Sequence, residues 1–577
     1  MRRIWAVGAL IAVAGAASSA AISMSGTGDG GVVGDPPELS PPSAELGLTL
    51  VDVPAVALAP MDHGALLAED EVSSSEESYK VLRVGVGRAM SVSQDDGQWH
   101  DFEPAGEGEE GGEGEEEEKG ASLWVADVVS TGAVGLRLHF PGLPPGGRLA
   151  VYAPAGERPL DVQIFEASDS GDGGFWSGSV SGERARIEIY YPGGRPGPEE
   201  QGAAVVDEIQ HLYRDPLAAE DGFSALAAAS CHNDVTCHPT WANVAKGVGR
   251  ITYMRDGSTF LCSGQLINPQ NNDGTPYFLT AHHCISTQSV AQTAEVYWRY
   301  QTSTCNGSPP PLPDVAKSRA ATLLSTGASA DYTLLMIEGA LPSGLFWVGW
   351  TTGFIPDGTA STGIHHPRGD HKRITFGSRS GPPTCGPSEG HKMGWSDGIT
   401  EKGSSGSGIF RDSDQRLYGQ LSCGASACDN TAGDTYGSFA AAYPNFSSLL
   451  AGGSDDFSEE NDTCAAAKTV VEGTYNDRIV KGVDTDWYKI AVPFGSTLTV
   501  TLTFTHANGN INARLYGTCG GSQLASATGS SNTETLTYTN LDVNSILSPP
   551  TLKWQVFLAS DTRNGYKMNI AVTQPTE

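Results

Sequence analysis

A chain of 577 residues is too long for one hydrophobic core and is expected to divide into about three or four modules. The formal net charge of -32 is unevenly spread: residues 25–224 carry 38 acidic and 11 basic side chains, residues 225–452 carry 16 and 14, and residues 453–577 carry 13 and 8. This acid excess excludes nucleic acid as an expected partner, and because it sits mainly in the first third it says little about the chemistry further along.

Met1-Arg2-Arg3, the apolar run Ile4–Ala17 and the small residues Ser18-Ser19-Ala20-Ala21 form the three-part pattern of a secretory signal over 1–21. The run is short for a membrane span, so the chain is expected to be exported with no membrane partner. Ten cysteines, an even number, make disulfides the default in an exported protein. None precedes Cys231, eight fall between Cys231 and Cys428, and Cys464 and Cys519 lie in the tail. This partition divides the chain into an acidic unit (22–225), a cysteine-rich unit (226–452), a polar linker (453–462) and a tail (463–577).

Residues 22–78 are rich in Gly, Pro, Ser and acids and are expected to be poorly ordered. Strands are expected at Tyr79–Val86, Ser122–Val129, Gly135–Phe140, Arg148–Ala153 and Ala185–Tyr191, the last alternating with period two. Gly106–Glu118 is nearly all Gly and Glu, and self-repulsion keeps such a run solvated. Residues 199–229 read as an exposed junction. The whole of 22–225 reads as a β-rich propeptide that assists folding and blocks a site, with an ordinary extra domain as the alternative.

From Cys231 short apolar runs recur between turn signals: Val248–Met254, Phe260–Ile267, Tyr277–Thr280, Ala294–Tyr300, Tyr332–Ile337, Leu417–Ser422 and Tyr436–Ala442. Many short strands with almost no helical periodicity predict an antiparallel barrel or sandwich. The only helices expected are short, at Ala281–Cys284 and Asn445–Leu450. In the tail, Asp486–Val492, Thr497–Phe504, Asn512–Tyr516, Glu534–Thr539, Lys553–Ala559 and Gly565–Val572 predict a small β-sandwich.

Three stretches carry chemistry. Lys402-Gly403-Ser404-Ser405-Gly406-Ser407-Gly408 sets a serine between glycines, which lets the backbone bend tightly and a substrate carbonyl approach. Ser405 is the expected nucleophile, with the N–H groups of Gly403 and Ser405 facing the developing oxyanion. Thr280-Ala281-His282-His283-Cys284 supplies a base, and Asp331, at the mouth of Tyr332–Ile337, supplies the carboxylate that orients it. Elsewhere, His365-His366-Pro367 lacks a third ligand at metal spacing and reads as a structural pair. Asp484-Thr485-Asp486 reads as a solvated acidic turn, with calcium as the alternative. No metal and no cofactor are expected.

The order His, Asp, Ser, with a His–Cys step after Thr-Ala and a glycine-bracketed serine, resembles the chymotrypsin-fold serine proteases, and more closely the bacterial lysyl endopeptidases. The resemblance covers about 228–445. It is carried by Cys231-His-Asn-Asp-Val-Thr-Cys237, Tyr277–Cys284, Val296–Gln301 with Cys305, Phe346-Trp-Val-Gly-Trp350, Ile364–Pro367, Gly403–Ser407, Gly419–Leu421 and Asp434-Thr-Tyr-Gly437. It implies a chymotrypsin-like double β-barrel in which His283, rather than His282, is the general base, Asp331 orients it and Ser405 attacks. It further implies the disulfides Cys231–Cys428, Cys237–Cys305 and Cys262–Cys284. Cys385 and Cys423 are then expected to pair near the substrate pocket, and Cys464 with Cys519 to close the tail.

The resemblance also implies that Asp434 lies at the base of the primary pocket, where a buried carboxylate selects a cationic side chain; a turn aspartate after Gly433 is the alternative. Substrate backbone would add as a strand along Ser422-Cys423-Gly424. Lysyl endopeptidases carry a histidine where this chain has Ser422, and a tryptophan within the stretch matching 376–391, which here has none. Both arginine and lysine therefore stay among the expected residues before the cut. Ser404 stands where trypsin-like zymogens carry an aspartate, so activation is expected through loss of the pro-region, by a cut at Arg214 followed by trimming or by another protease. The tail resembles the bacterial pre-peptidase C-terminal domain through Asp484–Ile490, Val492–Leu498 and Ala513–Tyr516.

The expected function is a secreted serine endopeptidase cutting after Lys or Arg. Its partners would be protein and peptide substrates and its own propeptide, acting as intramolecular inhibitor and chaperone. The alternative is a catalytically inactive secreted binding or adhesion protein on the same fold.

Overall fold

The computed structural model describes residues 25–26, 39–76, 79–102, 120–143, 147–156, 158–166, 174–197, 205–214, 228–270, 274–430, 433–450, 461, 463–481, 485–506, 509–542, 549–559 and 563–574. The signal pattern at 1–21, the Gly/Glu run at 106–118, the Ala-rich stretch at 215–227 and most of the linker at 453–462 lie outside these residues.

The architecture is all-β, with two barrels between residues 248 and 438. In the first, Ser258–Leu266 pairs with Val248–Arg255, followed by Glu295–Trp298 and Lys317–Arg319; the path returns through Ala321–Gly327, Tyr332–Ile337 and Tyr277–Thr280 to Ser258–Leu266. Tyr277–Thr280 and Tyr332–Ile337 are buried at every residue, which is why they read as continuous apolar runs. In the second, Arg416–Gly424, Gly408–Arg411, Ala360–His365, Arg373–Gly381, Gly390–Asp397 and Asp434–Ser438 pair in that order, and the last strand returns to the first. Trp350, Phe439, Tyr443 and Phe446 pack as one aromatic cluster, and Phe439–Ala442 is a short helix rather than the strand end expected there. Ala281–Cys284 is a turn closed by Ile285 N–H to the Ala281 carbonyl at 3.3 Å, not a helix; four residues are too few to offset helix nucleation.

The N-terminal region is continuous with the first barrel. Leu82–Val92 pairs on one side with Val206–Leu212 and on the other with Ser258–Leu266. Beyond Val206–Leu212 come Gly135–Phe140 and Val180–Ser181. A second sheet of Ala55–Leu58, Ser122–Ser130, Arg184–Tyr191, Arg148–Ala153 and Leu160–Glu166 encloses a core containing Trp124, Leu138, Ile187 and Ile209.

Two stretches of the N-terminal region hold more regular structure than their composition suggests. Residues 22–78 contain the strand Ala55–Leu58 and the helix His63–Glu76. In that helix Asp70 and Glu69 hold Arg83 at 2.6 and 2.9 Å. Residues 199–229 contain Val206–Leu212, an interior strand of its sheet. A register shift between Val206 and Glu208 breaks its alternation, so the period of two is lost in the sequence.

In the tail, two antiparallel-rich sheets face each other. One holds Asp486–Ala491, Thr551–Leu558, Ile511–Tyr516 and Gln523–Ala527; the other holds Gly473–Lys481, Arg563–Thr573, Thr497–Phe504 and Thr533–Thr539. Thr497–Phe504 buries alternate residues against Trp554 and Ile570, as its period predicts. Asp486 is not solvated: it is buried and accepts a 2.5 Å hydrogen bond from the Tyr566 hydroxyl, while Asp484 lies outside the described residues. Among the described residues no helix is long and apolar enough to cross a membrane.

Candidate active site

Three residues from different elements meet between the barrels. His283 is carried by the turn after Tyr277–Thr280, Asp331 by the loop entering Tyr332–Ile337, and Ser405 by the loop before Gly408–Arg411. His283 Nε2 lies 2.7 Å from Ser405 Oγ, and Nδ1 lies 2.7 Å from Asp331 Oδ2. The His283 backbone N–H donates to Asp331 Oδ1 at 3.0 Å, so one carboxylate fixes both ring and main chain. Burial pushes the Asp331 carboxyl up. The facing His283 ring, the Ser422 hydroxyl and the His283 N–H outweigh that and hold it below its usual value. Asp331 sits at φ +47, a conformation aspartate tolerates better than most residues. His282 points elsewhere, with Nδ1 2.8 Å from Thr326 Oγ1.

The serine turn depends on its glycines. Gly403 and Gly406 have φ of +93 and +81. A Cβ on Gly406 would lie 2.2 Å from Thr280 Oγ1, and one on Gly403 2.8 Å from Leu261 Cδ2. The turn is therefore pressed against the first barrel at the level of the histidine. The Gly403 N–H points into the cleft and donates to the carbonyl of Lys80 at 2.6 Å.

Beside this group is a closed polar slot with Asp434 at its base, 1% exposed. Trp395 Nε1, Thr400 Oγ1 and Ser426 Oγ donate to Asp434 Oδ2 at 2.7, 2.7 and 2.6 Å. Asp434 is thus no solvated turn aspartate. Gly424 forms the wall opposite it: a Cβ there would lie 2.1 Å from Asp434 Oδ1. The slot holds the Lys80 ammonium, with Nζ 2.8 Å from Asp434 Oδ1. Burial pulls that ammonium below the usual lysine value, against the pull of Asp434. Ser422 and Cys423 run along the cleft, and Cys423 forms an antiparallel bridge with Tyr79.

Residues 226–440 match a family model described as the C-terminal domain of lysyl endopeptidase. A lysyl endopeptidase of Pseudomonas aeruginosa is 29% identical over 343 residues, 55% of this chain and 72% of that protein. Over residues 226–440 the chain is lysyl endopeptidase-like. A secreted RxLR effector protein of Plasmopara viticola is 26% identical over 246 residues, 40% of this chain and 58% of that protein. Among solved structures, the HtrA-type protease AlgW with a tripeptide aligns at 16% identity and a TM-score of 0.27, over 42% of this chain and 67% of that one.

Against that family, the expected cysteine partners are all found: Cys231–Cys428, Cys237–Cys305, Cys262–Cys284, Cys385–Cys423 and Cys464–Cys519. Cys262, His283 and Cys284 lie close enough to suggest a metal site, but both sulfurs are in the disulfide and hold no thiolate to bind one. Ser404 is fully buried with its hydroxyl 2.8 Å from His365 Nδ1, and burial holds His365 well below its usual pKa. A neutral pair thus fills the interior position behind the serine turn. His366 Nδ1 lies 3.0 Å from the Asp370 carbonyl, so both histidines are structural.

Three slot residues, Trp395, Thr400 and Ser426, were not singled out in the sequence. They come from separate elements, and only their convergence on Asp434 reveals them. Trp395 lies just beyond the stretch 376–391 in which the family carries its tryptophan. Arg214, the expected maturation site, is ion-paired with Asp70 at 2.5 Å and lies over the Tyr213 ring.

Proposed function

We propose that this protein is a secreted serine endopeptidase that hydrolyses peptide bonds after basic residues through Ser405, His283 and Asp331. The observation that carries the reading is the carboxylate-floored slot next to the Ser–His pair. Asp331 holds His283 with Nε2 toward the serine, so the ring can take the Ser405 proton as Oγ attacks the carbonyl carbon. The Gly403 N–H is aimed where negative charge develops on the carbonyl oxygen. His283 then returns the proton to the leaving nitrogen, and water hydrolyses the acyl-enzyme by the same route. Asp434 supplies the charge that a lysine or arginine head would meet. A neutral side chain would leave a buried, desolvated carboxylate without a cation, the condition under which a polar site discriminates strongly.

Export is supported by the N-terminal signal pattern and by five disulfides, which persist in oxidising compartments. The N-terminal region is read as a pro-region that covers the site, and the tail as an accessory module. Covalent labelling by a fluorophosphonate tests the chemistry. The matured wild type should be labelled and hydrolyse lysyl or arginyl amides, and Ser405→Ala should do neither. An unlabelled, matured wild type would instead fit the inactive binding protein.

A further inference from the structure

The segment Tyr79-Lys80-Val81-Leu82 is threaded through the cleft in the manner of a substrate. The Lys80 side chain is 6% exposed, and its Nζ reaches Asp434 Oδ1 at 2.8 Å, the Thr400 carbonyl at 2.7 Å and Ser426 Oγ at 2.7 Å. Its carbonyl accepts the Gly403 N–H at 2.6 Å. Before it, Tyr79 bridges antiparallel to Cys423 and stacks on the His283 ring, centroids 4.4 Å apart. After it, Leu82 pairs with Leu261, and the strand continues along the first barrel to Val86 opposite Ser258. The chain is therefore held on both sides of one peptide bond, whose carbonyl lies at the oxyanion donor.

We propose that Lys80–Val81 is a peptide bond that the enzyme cuts in its own chain, and that the nicked N-terminal region stays docked and continues to occupy the slot. This rests on the serine-peptidase reading above. Ser405 Oγ bonds to the Lys80 carbonyl carbon and passes its proton to His283. The C–N bond to Val81 breaks as His283 protonates the Val81 nitrogen. Water then cleaves the ester, giving a Lys80 carboxylate and a Val81 amine and restoring the Ser405 hydroxyl. Both new ends stay in place. Ala55–Leu58 pairs with Ser122–Ser130 upstream of the cut, and Leu82–Val92 pairs with Ser258–Leu266 downstream of it. The cut therefore precedes release, and Arg214 need not be the first site.

The test uses the full secreted chain, with N-terminal sequencing, intact-mass measurement and lysyl- and arginyl-amide hydrolysis on the same preparation. A fragment beginning at Val81 is expected in the wild type and in Lys80→Arg, and is expected to be lost in Ser405→Ala and Lys80→Gln. It should form at a rate independent of protein concentration. An intact 80–81 bond in a preparation that hydrolyses basic amides overturns the self-cleavage, as does a rate proportional to concentration. A preparation that forms no Val81 fragment and still hydrolyses no basic amide after the N-terminal region has been removed by a second protease defeats the endopeptidase reading instead. Because Lys80→Gln could fail to fold, lysine acylation of the Ser405→Ala chain gives a second readout. Lys80 should react on the order of ten-fold or more slowly than the exposed Lys468 and Lys567. Equal rates would overturn the placement of Lys80 in the slot.

Discussion

At the scale of single residues the proposed catalytic group and the proposed selecting carboxylate are held by separate sets of hydrogen bonds. Ser405, His283 and Asp331 are bonded to one another, whereas Asp434 is bonded to Trp395, Thr400 and Ser426 and to no member of that group. Asp434→Ser should therefore cut basic-amide turnover by on the order of 10³-fold or more while fluorophosphonate labelling persists. Parallel loss of both would mean the slot also holds the serine turn in place. Gly406→Ala should act in the opposite sense, since its Cβ would meet Thr280 Oγ1 at 2.2 Å on a backbone at φ +81. Labelling and hydrolysis should fall together. Ser405, His283, Asp331 and Asp434 were legible as candidates because each lies in a short motif on which the family resemblance rests. The donors around Asp434 and the occupant of the slot were not. Trp395 sits in Gly390–Asp397, a strand without clean alternation, and Lys80 precedes an ordinary strand that no local feature marks as a ligand.

At the scale of elements, strands buried at every residue or alternating cleanly were legible, among them Tyr332–Ile337 and Thr497–Phe504. Ala360–His365 and Arg373–Gly381 were not, because glycine, serine and buried polar residues interrupt their apolar pattern. A strand was expected at Tyr79–Val86 and lies at Leu82–Val92, and its partner was not foreseen, since sequence gives no register between segments so far apart. Its fit explains one of its glycines. A Cβ on Gly85 would lie 2.5 Å from Leu212 Cδ2 and 3.2 Å from Thr259 Cβ, so the backbone approaches the barrel strand closely only without a side chain. Gly85→Val should loosen the N-terminal region, with faster proteolytic removal of that region and earlier amide hydrolysis in otherwise wild-type protein. Unchanged release kinetics would show that this pairing does not hold the region down.

At the scale of the whole molecule, the contact between the N-terminal region and the first barrel combines apolar packing of Val81, Leu82 and Val84 with buried polar pairs. Lys317 pairs with Asp161, and the Ser179 hydroxyl donates to Glu295 Oε2 at 2.6 Å. These contacts would have to break for the region to leave, as its proposed role as a pro-region requires. Its own stability should depend on acid. His211 lies in the interior strand Val206–Leu212, with Nε2 2.8 Å from His63 and Nδ1 2.8 Å from Ser130 Oγ, and Arg88 donates to that same hydroxyl. Burial, with His63 and Arg88 nearby, lowers its pKa from 6.5 to about 4. Between those values the unfolded chain binds the proton that the folded chain refuses, so stability falls as pH drops from 6.5 toward 4 and this group contributes no further change beyond either limit. His391, whose Nδ1 accepts from Arg379, is lowered to about 4 by burial and acts in the same direction within the second barrel. Thermal unfolding of the uncut Ser405→Ala chain should therefore show a falling midpoint across that window. In His211→Gln the fall should shrink for the transition that exposes the N-terminal region, and the component from His391 should remain. A midpoint flat from pH 6.5 to 4 would mean that these rings find compensating partners on protonation.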